Sequence, residues 1–529
     1  FFRRIELVLI ASVPILLTAL VTAGIMGMLH IEFNIFSLIV TTLVFGHGVD
    51  FSIFMTSALQ KKQTTGEDDL RIFRTSILLA VLTTILAIGA LIFAKHPALV
   101  SISSISLVGV SVAVLITFVF YPLLFNFFIQ NRTEKGKSPA TLLVFVNSLI
   151  SFFYYGFGSL ILTFFAAIYI YLLPGNRNKK KYHFQVVMSK FFYTVMRSVP
   201  FAKLKVSPYD KKIFDEPAII IANHTSFLDT LSVGMLSPKI KFLVNDWVYN
   251  SPFFGWAVKI LGFYPASHGV EGGVEHLRPL IEQGYSFVVF PEGTRSYTND
   301  IQRFHKGAFY LAEKLNLPIL PIYIHGQSEA LPKGDFMIYH EKITIVIGEK
   351  IPRKALAGKE IREQAKYVSK LFKLRFRELR NELEDTDYFK NIALLSNLFK
   401  EQEVRNLAKA DFEANAKRYL EINRCLPTEG RIAVIGEEIG NLAYLLGLDS
   451  PKRRITSYIE NEEHCAIATY NYLTVKYELK FENRKIERSE EFIAHSAEFD
   501  FIISLKKGLS FEAFETVKKG NGFTIYSTK

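Results

Sequence analysis

An imidazole and a carboxylate are separated by four residues in the segment Asn223–Asp229, where His224 precedes Asp229. An imidazole takes a proton from a hydroxyl near neutral pH, and a carboxylate on its other ring nitrogen fixes the tautomer. The nucleophile would be a substrate hydroxyl, and no acyl-enzyme on serine or cysteine is required. A structural alternative stays open, because Ser226 and Asp229 also fit a helix-capping pattern.

A second polar segment, Pro291–Ser296, follows the apolar run 285–290. Gly293 lets backbone amides approach an anion, and the guanidinium of Arg295 can pair with a phosphate through two hydrogen bonds. Its neighbours Glu292 and Thr294 offer further polar groups. The alternative is a polar turn with an exposed arginine.

Together these segments resemble the glycerolipid acyltransferases of PlsC type. The resemblance covers residues 182–385. Further blocks at 303–308 and 317–322 follow in the family's order. The resemblance implies that His224 and Asp229 are the catalytic pair. It also implies that the substrate-binding residues are Asn223, Glu292, Gly293, Thr294, Arg295 and Lys306.

The resemblance implies transfer of a fatty acyl group from acyl-CoA or acyl-carrier protein to a hydroxyl of a lysophospholipid or related lipid, without a cofactor or metal. One block departs from the family. After Gly262-Phe263 the family has a phosphate-binding arginine, whereas this sequence has Tyr264-Pro265-Ala266-Ser267-His268. Phosphate recognition would then depend on Arg295 and Lys306, and a glycolipid, an amino-acid lipid or a polyene-type alcohol remains an alternative acceptor.

Strands alternate with amphipathic helices in this part of the sequence, which favours an α/β domain. We predict strands at 217–222, 285–290, 318–324 and 342–347, and helices at 226–236, 273–283, 306–315 and 361–384. The two catalytic segments then follow directly after strands, where a scaffold commonly exposes reactive side chains.

The composition of the whole chain places this domain at a membrane. Hydrophobic residues make up 50% of the 529 residues, the formal net charge is +12, and the apolar residues concentrate in roughly the first 175 positions. Basic segments beside apolar spans attract anionic lipid headgroups, so we do not expect nucleic-acid binding. The two distant cysteines predict neither a disulfide nor a zinc site.

Apolar runs at 7–29, 36–59, 75–93 and 102–128 each reach the roughly 20 residues that span a bilayer. Basic residues cluster at 1–4, 60–74 and 131–140, which the positive-inside rule assigns to the cytoplasm. The second run carries Asp50, either as a proton-coupling carboxylate inside a bundle or as a residue near the cytoplasmic helix end.

The sequence Gly46-His47-Gly48-Val49-Asp50-Phe51, with motifs at 82–84, 95–99 and 121–122, resembles the end of an RND/MMPL-type exporter half. The resemblance covers residues 1–130, lacks two of six spans, and implies a longer polypeptide that exports lipid with proton coupling. An alternative function is therefore a proton-driven lipid transporter whose soluble half binds lipid without catalysis.

The apolar stretch 141–174 is basic on both flanks. We favour a re-entrant hairpin or an interfacial pair of helices over a single tilted span, because a single span would move the following domain out of the cytoplasm.

The C-terminal region alternates strands at 431–436, 455–460 and 499–505 with helices, and resembles a Rossmann-like S-adenosylmethionine methyltransferase. The implied cofactor-binding residues are Gly436, Gly440 and Glu460. Because Val434 and Glu438 depart from the fingerprint, we expect a degenerate structural domain that does not bind S-adenosylmethionine. A lipid methyltransferase is the third functional alternative.

The predicted architecture is therefore multidomain. It comprises a four-span bundle (1–130), a linker with membrane helices (131–181), an acyltransferase domain (182–385) and a Rossmann-like domain (386–529). The expected location is a bacterial inner membrane with the catalytic domain in the cytoplasm.

Overall fold

A computed structural model describes residues 4–31, 35–198, 203–208, 210–486, 498–506, 509, 511 and 514–527. The chain forms two compact units. One unit comprises Phe1–Pro139 with Asp385–Lys529, and the other comprises Ala140–Glu384. The predicted linker 131–181 is therefore divided between the units, and most of it lies in the second.

The N-terminal part of the first unit is a helical bundle. Its elements are α1 (Ile5–Met28), α2 (Ile35–Thr65), α3 (Leu70–Gly89, extended by a 3-10 turn Ala90–Phe93), α4 (Pro97–Phe125) and α5 (Asn131–Glu134). A π-helical turn, Asn126–Gln130, joins α4 to α5. Helix α4 packs against α1, α2 and α3. Gly109 permits this packing, because a Cβ there would lie 2.7 Å from a methyl carbon of Val44.

Four helical segments of the described chain are long and apolar enough to cross a membrane: Ile5–Met28, Leu70–Phe93, Pro97–Glu134 and Leu142–Leu172. The first three overlap the predicted spans 7–29, 75–93 and 102–128, and the predicted span 36–59 lies within α2. These apolar helices indicate membrane association.

The predicted hairpin within 141–174 is wrong. Helix α6 (Leu142–Ala167) continues through a π-helical turn (Ile168–Leu172), so one helix covers the apolar stretch. The chain first turns at Pro174 and Gly175, which has φ +126°, before α7 (Arg177–Ser198). Gly158 of α6 lets the Phe191 ring of α7 pack closely, because a Cβ there would lie 2.8 Å from that ring.

The second unit is built on a seven-stranded sheet. Its strands are β1 (Lys203–Ser207), β2 (Ile219–Ala222), β3 (Ile240–Val244), β4 (Tyr264–Pro265), β5 (Ser286–Val289), β6 (Ile319–His325) and β7 (Lys342–Ile347). Their order is β1-β7-β6-β2-β5-β3-β4, and only the β6–β7 pair is antiparallel. Its helices are α8 (Leu228–Gly234), α9 (Asp246–Tyr249), α10 (Gly255–Leu261), α11 (Gly269–Glu282), α12 (Gly307–Lys314), α13 (Gln327–Ala330) and α14 (Ile361–Leu383).

Two hydrophobic layers cover the sheet, and alternate residues of β2 point into each. Ile220 and Ala222 join the layer that contains α6, α7, α8 and α10. Ile219 and Ile221 join the opposite layer, which contains α11, α12 and α14. The central strand is therefore buried on both faces, as its uninterrupted apolar sequence predicts.

The C-terminal part of the first unit contains a six-stranded sheet. Its helices are α15 (Thr386–Ser396), α16 (Gln402–Cys425), α17 (Asn441–Asp449), α18 (Glu462–Thr469) and α19 (Tyr472–Tyr477). Its strands are β8 (Glu429–Ile435), β9 (Lys452–Ile459), β10 (Lys480–Asn483), β11 (Phe501–Ser504), β12 (Glu515–Gly520) and β13 (Phe523–Ser527), in the order β10-β9-β8-β11-β13-β12. The first four of that order are parallel.

This C-terminal part docks on the bundle. Leu398 and Phe399 belong to the same buried cluster as Val44 and Tyr121 of the membrane helices. The side-chain amide of Gln60 donates to the Phe399 carbonyl at 3.1 Å. Sequence analysis did not foresee this docking, because the two parts are separated by the entire second unit.

The strands predicted around the catalytic segments are confirmed to within two residues at each end. Strands β1, β3 and β4 were missed. They are short, and polar or basic side chains interrupt their apolar character, as Lys241 does in β3. After β9 the chain forms two helices, α18 and α19, which are separated at Tyr470 and Asn471.

Candidate active site

The two predicted catalytic segments meet at one edge of the second unit's sheet. Strands β6, β2 and β5 are parallel neighbours, with Ala222 paired to Ile322 and Ile221 paired to Val289. The carboxyl ends of these strands therefore lie side by side, which is where open α/β sheets bind ligands. The segments that begin at Asn223 and Phe290 leave the sheet at this edge.

His224 and Asp229 form a buried pair. His224 Nδ1 lies 2.9 Å from Asp229 Oδ2, and Asp229 has no exposed surface. The same carboxylate oxygen accepts the backbone N–H groups of Thr225 at 2.7 Å and Ser226 at 2.8 Å. Asp229 therefore holds both the imidazole and the backbone of the turn that leads into α8, although the N-cap residue of α8, Phe227, makes no side-chain capping bond.

This bond orients the imidazole. A proton on Nδ1 donates to Asp229, which leaves Nε2 as the basic atom. The ring stacks on Phe290 with centroids 4.1 Å apart and an angle of 17° between the planes. His224 keeps 17% of its side chain exposed, on the wall of a large cavity. The geometry suits a general base whose second nitrogen is fixed.

Glu292 supports the His224 segment from the neighbouring strand end. Its Oε1 accepts the His224 backbone N–H at 2.8 Å, and its Oε2 accepts the Gln302 N–H at 2.8 Å. The residue is only 4% exposed. The prediction that Glu292 contacts substrate is therefore not supported, because both of its oxygens bind backbone groups of the chain itself.

Burial sets the charge of Glu292. Desolvation raises the pKa of this carboxyl from 4.5 to about 7, although the two backbone hydrogen bonds oppose the shift. The nearby Asp229 charge raises the pKa further, and Lys373 lowers it. This carboxyl therefore changes its charge near neutral pH while it holds the His224 backbone.

Asn223 is a second support. Its side-chain amide donates to the Ile324 carbonyl and accepts the Ile324 N–H, both at 2.8 Å, and it has no exposed surface. These bonds continue the β2–β6 pairing beyond the end of β2. The predicted role of Asn223 in substrate binding is not supported, because its side chain faces the neighbouring strand.

Gly293, Thr294 and Arg295 lie where the sequence predicted, on the wall of the His224 cavity. Gly293 has φ +72°, a conformation that favours glycine. A Cβ there would also lie 3.2 Å from the His305 ring, so the loop needs glycine for space as well.

Two further polar side chains line the same cavity and were missed. They are His305 and Lys333. The ammonium of Lys333 donates to the Arg295 carbonyl at 2.7 Å and lies 4.0 Å from the Tyr297 ring centroid. Lys333 comes from the loop after α13, which carries no motif, so the sequence offered no signal for it.

The cavity has a volume of about 520 Å³ and is mainly apolar below its polar rim. Ligand pockets typically combine an apolar body with a few convergent polar groups. Helices α6, α7, α8 and α10 and strand β3 supply the apolar wall, which includes Tyr155, Met188, Phe192, Phe227, Leu231, Phe242, Ala257, Val258 and Leu261.

Lys306 lies outside this cavity. It lines a second cleft, which the loop 303–306 forms with one face of α14. Its predicted contact with the acceptor at the His224 site is therefore not supported. The backbone of the preceding residue, His305, is fixed to the active-site loop, since its N–H donates to the Pro291 carbonyl at 2.7 Å.

The segment Tyr264–His268, which replaces the family's arginine block, borders the His224 cavity through Tyr264 and Ala266. The Tyr264 hydroxyl donates to the Gly269 carbonyl at 3.0 Å. This wall therefore carries no guanidinium, and Arg295 and Lys333 supply the fixed positive charge at the rim from the opposite loops.

The predicted cofactor residues of the C-terminal sheet lie together, and side chains of the chain fill their loop. Gly436 follows β8, and a Cβ on it would lie 2.8 Å from Lys506 Cγ. The Lys506 ammonium reaches across to pair with Glu460. Gly440 packs against Ala468 and Phe481.

Asp50 lies on the exposed surface of α2, fifteen residues from either end of that helix (Ile35–Thr65). The structure thus places it neither inside the four-helix bundle nor close to a helix end. Its neighbour His47 contacts the Thr84 hydroxyl of α3 at 3.4 Å. Among the described residues, no group of three or more His, Cys, Asp or Glu side chains forms a candidate metal site.

Part of the second unit is similar to a known protein family. Residues 203–325 match the family model described as Acyltransferase. The match contains both segments that meet at the sheet edge.

The chain spans about half the length of the curated relatives it matches. The 1-acyl-sn-glycerol-3-phosphate acyltransferase BAT2 of Brassica napus is 28% identical over 187 residues, 34% of this chain and 54% of that protein. The 1-acyl-sn-glycerol-3-phosphate acyltransferase of Pseudomonas aeruginosa is 31% identical over 146 residues, 26% of this chain and 55% of that protein. The crystal structure of PlsC from Thermotoga maritima, 24% identical, aligns with a TM-score of 0.39 over 45% of this chain and 99% of that one.

The substitution Glu292→Gln tests the support of the His224 backbone. The folded pKa of about 7 lies above the unfolded value near 4.5, so the folded chain binds this proton more tightly. The stability that this bound proton contributes is fully present below pH 4.5 and is lost as the pH rises through about 7. We expect the variant to unfold at lower temperature and to lack this pH-dependent component in thermal unfolding between pH 4.5 and 8.

The matched control is Glu349→Gln, which changes an exposed glutamate of the same unit. Its pH dependence should follow the wild type. An unchanged pH profile in Glu292→Gln would show that this carboxyl does not titrate as its burial predicts.

S-adenosylmethionine should not stabilise the full-length protein against thermal unfolding, because Lys506 crosses the loop at Gly436. A ligand that binds the folded state raises the unfolding midpoint with its concentration. The variant Lys506→Ala tests whether the lysine blocks the site. If S-adenosylmethionine binds this variant and not the wild type, the Lys506 side chain is what prevents binding. A midpoint that rises in the wild type would contradict the prediction.

Proposed function

We propose that this protein is a membrane-bound acyltransferase that moves a fatty acyl group from a thioester to the hydroxyl of a lysophospholipid-type lipid. The observation that carries the proposal is the His224–Asp229 pair at the polar rim of an apolar cavity of about 520 Å³. The match of residues 203–325 to the acyltransferase family gives independent support.

In the proposed mechanism, His224 Nε2 takes the proton of the acceptor hydroxyl while its oxygen attacks the thioester carbonyl. Asp229 stabilises the imidazolium through Nδ1. Collapse of the tetrahedral intermediate breaks the carbon–sulfur bond, and the imidazolium returns its proton to the departing thiolate. An ester and a free thiol result, and the histidine is regenerated.

The apolar body of the cavity would hold the acyl chain. Burial of each methylene contributes about 0.8 kcal/mol, so a long chain provides binding energy that positions the thioester at the rim. The wall comes from α6 and α7 as well as the sheet layer, which connects the cavity to the apolar helices of this unit.

The rim would bind the acceptor headgroup. The Arg295 guanidinium and the Lys333 ammonium both border the cavity near His224, and both favour an anionic group such as a phosphate. Lys333 would thus supply positive charge that the segment Tyr264–His268 lacks.

Exposed aromatic side chains would bring this rim to the membrane surface. The chain has two tryptophans, and both are exposed beside the cavity, Trp247 by 59% and Trp256 by 68%. Phe253, between them, is 56% exposed. Indole rings favour the boundary between headgroups and acyl chains, so the acceptor can reach His224 from the bilayer.

The membrane bundle would add a second role in the intact polypeptide. We propose that α1–α4 belong to an RND/MMPL-type exporter half in a bacterial inner membrane, with the acyltransferase on the cytoplasmic side. The sequence 46–51 and the pattern of basic loops support this proposal. Linkage in one chain would couple acylation to export of the product.

Acyl transfer by purified full-length protein tests the main proposal. Labelled acyl-CoA and acyl-carrier protein are each offered with lysophosphatidate and with uncharged lipid alcohols. We expect His224→Ala to lower kcat at least about a hundredfold, since general-base catalysis contributes 10²–10⁴-fold. Asp229→Asn should lower kcat strongly while the KM values change less.

The exposed His268→Ala serves as the matched control and should keep wild-type kcat. Wild-type protein that transfers no acyl group from either donor would overturn the proposal and favour a lipid transporter with a non-catalytic soluble half. Full activity in His224→Ala would remove the assigned base.

Lys333 variants test the headgroup site. Lys333→Ala should raise the KM for a phosphate-bearing lysolipid about tenfold, the loss of one charge-assisted hydrogen bond, and affect an uncharged acceptor less. Lys333→Arg should restore much of the difference, and the exposed Lys354→Ala should behave as wild type. An equal KM increase for both acceptors would show that Lys333 acts only by holding the Arg295 loop.

A further inference from the structure

A second cleft of about 870 Å³ borders the active-site loop, and positive charge dominates its lining. We call it the basic cleft. Six cationic side chains line it and no carboxylate does: Arg303, Lys306, Arg362, Lys366, Lys370 and Lys373.

The cleft is one face of helix α14. Arg362, Lys366 and Lys370 recur every four residues, so their side chains stand above one another on one side of the helix. The opposite side of α14 packs Val368 and Phe372 into the sheet layer. Packing of α14 against α12 then places these cations opposite the loop that carries Lys306.

These cations differ from others on the same helix in their partners. Arg375 pairs with Glu378 at 3.0 Å, and Arg380 pairs with Glu384 at 2.7 Å. Within the described part of the chain, none of the six cations of the basic cleft makes an ion pair. Unpaired like charges held together repel one another, and a polyanionic ligand relieves this repulsion.

The basic cleft opens to the layer of the sheet opposite the apolar helices. Helix α14 belongs to the layer with α11 and α12, whereas α6 and α7 cover the other face. A ligand of the basic cleft therefore arrives from water rather than from the bilayer. This position favours a soluble anion over a lipid headgroup.

The cleft and the catalytic cavity share one lining residue, His305. The His305 backbone is fixed to Pro291 at the start of the Glu292 loop. A molecule that lies in the basic cleft can therefore extend past His305 towards His224. The ligand implied by this arrangement has a polyanionic end and a reactive end on a flexible arm.

We propose that the basic cleft binds the phosphorylated nucleotide of a coenzyme A thioester, with the pantetheine arm directed past His305 to the catalytic cavity. The pyrophosphate and the 3′-phosphate provide the charge that the six cations require, and the concave shape suits a nucleotide. An acidic carrier protein would instead need a broad, flat contact surface. This inference rests on the proposed function, since it assigns the donor of that reaction.

The test separates nucleotide binding from catalysis. Free coenzyme A is titrated by calorimetry into full-length protein in detergent, with no acyl group and no acceptor present. We expect Lys366→Glu with Lys370→Glu to weaken binding at least about tenfold, and we expect wild-type binding to weaken with salt. The matched control is Lys314→Glu with Lys354→Glu, which reverses two exposed lysines outside the cleft and should bind as wild type.

A kinetic arm uses two donors with the same acyl chain, the coenzyme A thioester and the pantetheine thioester. The cleft variant should raise the KM for the first about tenfold relative to the KM for the second. The inference is overturned if the cleft variant binds coenzyme A as tightly as wild type does. It is also overturned if the variant weakens only the binding of acyl-carrier protein or of anionic vesicles. Coenzyme A binding by wild type without acyl transfer would refute the proposed function and retain the nucleotide site.

Discussion

One carboxylate oxygen organises the catalytic end of the sheet. Asp229 Oδ2 accepts hydrogen bonds from His224 Nδ1 and from the backbone N–H groups of Thr225 and Ser226. The turn between strand and helix, the tautomer of the imidazole and the direction of Nε2 therefore depend on the same atom. Without this carboxylate, the imidazole and both backbone N–H groups would lose their shared acceptor, and a buried N–H group without an acceptor is destabilising.

Supports from neighbouring strands hold this arrangement in place. Asn223 binds both backbone groups of Ile324, and Glu292 binds the backbone N–H groups of His224 and Gln302. The family pattern implied substrate contacts for both residues, whereas the structure shows that they fix the loop. Rigid placement is what a general base needs, because proton transfer requires a defined distance to the hydroxyl.

The two faces of the sheet carry different surfaces beside His224. Helices α6 and α7 cover one face and contribute the wall of the His224 cavity, while α14 on the other face lines the basic cleft. The proposed acyl-chain site and the proposed nucleotide site would therefore meet beside His305, which lines both. In the C-terminal sheet, by contrast, the loop at Gly436 is closed by the Lys506–Glu460 pair.

The sequence alone determined the strands around the catalytic segments, the pair His224 and Asp229, and the apolar helices. These features follow from local periodicity and from residues close together in the chain. Tertiary structure decided the rest. Lys333 reaches Arg295 across 38 residues, α14 meets the loop of Lys306 only through packing, and Gly158 lets α6 pack closely on Phe191 of α7. These contacts depend on how distant segments pack together, which residue spacing does not encode.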